Sequence, residues 1–101
     1  MTETVDVAGL TLEHFTAAAR DGYLLAASET FGFPLTLVET HSGVTLPDSR
    51  TQFRLEFEIA VANCPEQGIY RIHHPTLGVM DLFLTPVAAT PNGFRLEACF
   101  T

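Results

Sequence analysis

The chain has 101 residues, 47% of them hydrophobic and 17% charged, which is enough for one domain with one core and too apolar for a disordered, solvating chain. Twelve acidic residues face five arginines, there is no lysine, and the formal net charge is −7. Such a chain, with no basic cluster, gains nothing from counterion release, which argues against nucleic acid and anionic membranes as partners, and without lysine it has neither Schiff-base chemistry nor a P-loop.

The opening "MTETVDVAGLTLEHF" has no basic n-region and no apolar h-region. No stretch approaches the roughly 18 apolar residues of a membrane span. These features predict a soluble protein made in the cytoplasm, with a secretion route that needs no signal peptide left open. Cys64 and Cys99 are too few for a disulfide framework and are expected to stay reduced.

In chain order, the first element is a helix predicted over about 11–20. Thr11 can cap it, Glu13 falls in the first turn where the helix dipole favours an acid, and Leu10 and Phe15 stand at the positions of a hydrophobic staple. Leu12, Phe15 and Ala19 line one face, and Asp21-Gly22 ends the run. So short a helix needs something to pack on.

After it the period changes to two. "YLLAASE" reads as a strand, and in "FPLTLVETH" Phe33, Leu35 and Leu37 alternate against Pro34, Thr36 and Thr40, with His41 at the strand end. "HSGVTLPDSRT" is then the one long loop. In "QFRLEFEIAV" Phe53, Leu55, Phe57, Ile59 and Val61 face one way while Arg54, Glu56 and Glu58 face the other. One dry face and one wet face imply antiparallel pairing. "GIYRI", "VMDLFLTPV" and "FRLEACF" supply three more strands, joined by the loop "ANCPEQG" and by "TPNG" at 90–93, which suits a type I turn with a following bulge. The whole chain, 1–101, is therefore expected to be a single mainly β domain: a small antiparallel six-stranded barrel or rolled sheet, with the helix plugging one open end.

The stretch "HHPTLGVMDLF", residues 73–83, poses the question of a site. Neighbouring strand residues point to opposite faces, so His73 and His74 cannot ligate one metal unless the strand ends between them, which Pro75 makes conceivable. Pairing Arg71 with Asp81 and Ile72 with Met80 keeps Tyr70, Leu82 and Leu84 on one dry face. That register is favoured, with a bulge near Gly78. Asp81 then serves Arg71, and the hairpin is a turn with two solvated imidazoles. His14 and His41 show no ligand spacing to these two. No phosphate loop, nucleophile elbow, HExxH or CxxC is present. Cys64, ahead of a proline, has no cation beside it to lower its pKa, and Cys99 sits in an alternating strand. A carboxylate pair of Glu56 or Glu58 with Glu97 across the sheet is more simply a solvated acidic face. No catalytic, cofactor-binding or metal-binding residue is predicted, and no cofactor.

The segment "QGIYRIHHPTLGVMDLFLTPV" followed by "GFRLEACF" resembles a small bacterial domain family of unknown function. Its members carry a Q-G-x-Y-R-(L/I)-x-H-P-x-L-G core, an L-F-L-x-P-V strand and a final aromatic-rich strand. "LTLEHF" fits the family's opening, and residues 22–52 match loosely. His73 stands where members usually have an acid, and "LEACF" replaces a tyrosine-containing ending. The matched positions Gly68, Tyr70, His74, Pro75, Gly78 and Pro86 read as turn and packing residues. The resemblance implies an assembly or accessory role beside phage-tail-like or collar-type fibre proteins.

The expected function is thus a non-enzymatic interaction domain that docks on a protein partner or self-associates into an oligomer. The hairpin tip His73, His74, Pro75, Thr76, Leu77 and Gly78 is its predicted contact. The alternative is a barrel that binds a small apolar molecule, motivated by eight phenylalanines. A barrel of six short strands leaves little interior once side chains fill it.

Overall fold

The structure, a computed structural model, describes residues 10–17, 22–26, 32–45, 47 and 51–100. Among the described residues one helix, α1 (Leu12–Ala17), precedes six strands: β1 (Tyr23–Ala26), β2 (Gly32–Thr45), β3 (Thr51–Ile59), β4 (Gly68–His74), β5 (Gly78–Thr90) and β6 (Gly93–Phe100). They close into a barrel in the order β1-β2-β3-β6-β5-β4. Every pairing is antiparallel, and β1 meets β4 through Leu24↔His73 and Leu25↔Ile72 to complete the ring.

Alternation in β3 orients the barrel wall. Phe53, Leu55, Phe57 and Ile59 are buried, while Arg54 is exposed and Glu56 and Glu58 are half-buried on the outside. Val61 lies just past the strand and packs on the core margin. Leu35, Ile72, Met80, Leu82, Leu84, Leu96 and Ala98 fill the interior from the other strands.

The helix caps one end. Thr11 opens it, and His14 Nδ1 accepts the Thr11 backbone N–H at 2.9 Å. His14 thus takes the role that Glu or Gln plays in a capping box. Phe15 is fully buried, with its ring 5.2 Å from Phe100, 6.0 Å from Phe53 and 6.4 Å from Tyr23. Tyr23 donates its hydroxyl to the Phe15 carbonyl at 3.0 Å, so the plug is latched as well as packed. Residues 18–21, where the sequence places the helix end, lie outside the described residues. So do residues 27–29, the predicted remainder of the first strand.

Two expectations for β2 are corrected. Thr40 is not on the face of Pro34 and Thr36, because the register steps from Leu37↔Phe57 to Glu39↔Glu56 and leaves Val38 as one extra residue. Past that bulge Thr40 pairs with inward Leu55, and Glu39 and His41 turn outward beside Glu56 and Arg54. Nor is His41 at a strand end, since β2 runs on to Thr45 and much of the predicted loop is ladder. A second register shift between Ser42 and Thr45 absorbs the irregular sequence there. Gly43 fits because a Cβ at that position would stand 3.2 Å from the Gln52 carbonyl oxygen.

The 90–93 turn closes with Gly93 N–H donating to Thr90 Oγ1 at 3.0 Å. The register shift of this hairpin lies between Pro86 and Ala88, not at the turn, which leaves Val87 as the extra residue. Pro86 lacks the ladder donor that a regular strand would need, which accounts for an irregularity beside it. Replacing Phe57 by Ala should cost about 3–5 kcal/mol, read as a lowered urea midpoint with the slope unchanged.

Candidate functional site

The 73–78 hairpin follows the register favoured by its hydrophobic pattern. Arg71 pairs with Asp81, Ile72 with Met80, His73 with Val79 and His74 with Gly78. No register shift interrupts β4 and β5, and the irregularity expected near Gly78 is confined to its backbone, with φ at 94°. Arg71 donates to both oxygens of Asp81, at 3.1 Å and 3.3 Å, on the exposed face.

The two histidines part company. His73 is exposed, as expected, but His74 is only 4% exposed, which corrects the reading of two solvated imidazoles. Strand β4 continues through His74, so its side chain follows Ile72 inward and lies 4.8 Å from the Tyr23 ring. His74 Nδ1 accepts the backbone N–H groups of Thr76 and Leu77, each at 3.0 Å. An atom that accepts two N–H groups has no hydrogen of its own to donate, which places the ring N–H at Nε2. The imidazole braces the turn as an Asx side chain would. An acceptor side chain directly ahead of Pro-x-x-Gly is the sequence signal for this, and it was missed.

A second constellation sits on the outer wall of β2, β3 and β6. His41 Nε2 lies 2.9 Å from Glu56 Oε2 and 3.6 Å from Glu39 Oε2. Arg95 Nη1 reaches the same Glu39 oxygen at 3.4 Å, and Arg54 Nε stands 3.7 Å from Glu97. Glu56 and Glu97 are direct cross-strand partners, whereas Glu58 opposes Arg95. The hydrogen bond to His41 holds the Glu56 carboxyl below its ordinary range. Burial opposes this, and the Glu39 contact and the charges of Arg95 and His41 reinforce it. The sequence reading missed this group, because a bulge three residues upstream of His41 decides its facing.

The Cys99 thiol is not activated. Burial first, and then the neighbouring Glu97, push the Cys99 thiol up, and its Sγ donates to Glu97 Oε1 at 3.2 Å. Cys64 is exposed in the 60–67 loop. Elsewhere on the wall, Ile69 and Phe83 face each other across β4 and β5 on the outside, 73% and 54% exposed. At the β1–β4 seam an apolar groove of about 460 Å³ is lined by Tyr23, Leu24, His73, His74, Pro75 and Val79, among others. No helix among the described residues is long and apolar enough to cross a membrane.

The model of one family, described as "Domain of unknown function (DUF6916)", matches residues 10–100. The chain belongs to this family. The match spans α1 and all six strands, so the barrel described above is the family domain itself. No curated protein and no solved structure matches the chain.

Two outcomes check these geometries. His74→Ala should cost about 1–3 kcal/mol by stranding two N–H groups, while His74→Asn, which restores an acceptor, should recover much of the loss. Hydrogen exchange at the Thr76 and Leu77 amides should quicken only in the Ala variant. Because the Glu56 pKa is lower folded than unfolded, its contribution is present above the ordinary carboxylate range and lost as pH falls through the folded value. Urea midpoints of the native chain and Glu56→Gln should therefore differ at about pH 6 and converge toward about pH 3.

Proposed function

We propose that the domain is a non-enzymatic interaction module that acts by self-association. Its setting is an assembly or accessory role, with the phage-tail-like or collar fibre particles implied by the sequence resemblance as the context. The supporting observation is the exposed Ile69–Phe83 pair, a large apolar contact on the outer wall of the closed ring. Beside it on the same strands lie Arg71 and Asp81, opposite charges at one border of the patch. Two copies packed about a two-fold axis would set apolar against apolar and each arginine near the other copy's aspartate. A second copy is thus the occupant that both the shape and the charge favour. The hairpin tip is the weaker contact, because His74 is committed to bracing its own turn.

A second reading, binding of a small apolar molecule, draws support from the seam groove, whose volume exceeds the ~300 Å³ typical of the smallest ligand pockets. Its lining combines outward Leu24 and His73 with buried Tyr23 and His74. Inside, Phe57, Leu55, Met80, Leu84 and Leu96 are fully buried and occupy the interior.

Light scattering over a concentration series decides between monomer and oligomer. A concentration-dependent dimer is expected, and Phe83→Glu, at an exposed position, should abolish it while leaving the urea midpoint nearly unchanged. A native chain that stays monomeric throughout removes the self-association reading.

A further inference from the structure

We propose that Glu39, His41 and Glu56 form a binding site for one transition-metal dication of the zinc class on the outer wall of β2 and β3. Their three donor atoms all lie within 4.8 Å of one another. Zinc holds imidazole nitrogen and carboxylate oxygen at about 2.0–2.2 Å, which sets tetrahedral ligands roughly 3.3–3.6 Å apart. The His41–Glu39 separation of 3.6 Å already meets that spacing. The His41–Glu56 separation of 2.9 Å is that of a hydrogen bond which the metal would replace by opening it slightly.

The backbone fixes all three positions. Glu39 and Glu56 are direct cross-strand partners, His41 is two residues along β2 on the same face, and the Val38 bulge puts both β2 groups there. Side-chain exposures of 33% for His41, 48% for Glu39 and 14% for Glu56 leave an approach from solvent while one carboxylate is largely shielded.

Charge and chemistry agree on the class of ion. The outward groups of β2, β3 and β6 around the site are the carboxylates of Glu39, Glu56, Glu58 and Glu97 against the guanidiniums of Arg54 and Arg95. Four negative against two positive leaves a surplus of two, which a dication offsets. The imidazole nitrogen selects zinc-like ions over magnesium and calcium, which prefer all-oxygen shells. Arg95 holds the Glu39 oxygen from the other side, and its own Nε is shielded from water with no acceptor among the described residues. The guanidinium is therefore incompletely satisfied among the described residues. Three protein donors leave a fourth position open to water or to a donor from another molecule.

The test is titration of the full chain with Zn²⁺ by calorimetry, alongside nitrogen NMR of the imidazoles. One equivalent should bind, with the His41 Nε2 resonance shifting and those of His14, His73 and His74 unmoved. His41→Ala should weaken binding by at least about tenfold, and Mg²⁺ and Ca²⁺ should give no heat. No binding at about 100 μM free Zn²⁺, or a shift at His73 in place of His41, overturns the proposal. The NMR assignment uses the native chain, so the result stands even if a variant folds poorly.

Discussion

One extra residue in β2 governs the outer wall of this barrel. Inside and outside alternate along a strand with a period of two, so each group's facing is set by those before it. Continued unbroken from Phe33, Leu35 and Leu37, that alternation would drive Glu39 and His41 into a core filled by Phe53, Leu55 and Phe57. Burying a carboxylate and an imidazole there without partners would cost several kcal/mol. The bulge at Val38 reverses the alternation for the rest of the strand. Both polar groups then meet Glu56 and Arg54 on the wet side. A similar extra residue, Val87, relieves β5 next to Pro86.

Closure of the ring shapes what the surface can offer. With β1 on β4 and β3 on β6, every described strand has a partner on both sides over part of its length, although short β1 covers β2 only from Gly32 to Leu35 and β4 only at Ile72 and His73. The wall between these seams carries the Ile69–Phe83 pair and the glutamate–histidine group as outward side chains. The histidines divide by the same logic. His14 closes the first turn of the helix, His74 braces a hairpin, His41 joins a carboxylate group, and His73 meets solvent.

Much of the fold was legible because β3 carries its pattern unbroken from Phe53 to Ile59: every inward position there is aromatic or aliphatic and every outward one charged. The register of the 73–83 hairpin was legible for a related reason. Only one pairing keeps Ile72, Met80, Leu82 and Leu84 together while joining Arg71 to Asp81. What escaped was whatever depended on a local departure from period. A bulge at Val38 leaves no mark in a sequence where valine suits any strand position. The extension of β2 through Gly43 escaped because "HSGVT" carries turn residues, and only the partner strand shows why a glycine fits there. The burial of His74 escaped because its two acceptor contacts are to backbone groups that residue types do not reveal.

The seating of Phe15 has a bearing on how the chain folds. Four of the ring's six seams join strands adjacent along the chain, whereas β3–β6 and β1–β4 join strands far apart. Such long-range closures are the slow steps of β-rich folding, because loop entropy is lost before the contacts reward it. Phe15 touches Tyr23 on β1, Phe53 on β3 and Phe100 on β6. Its socket therefore does not exist until distant segments have met, and the helix, though first along the chain, belongs among the last parts to lock into place.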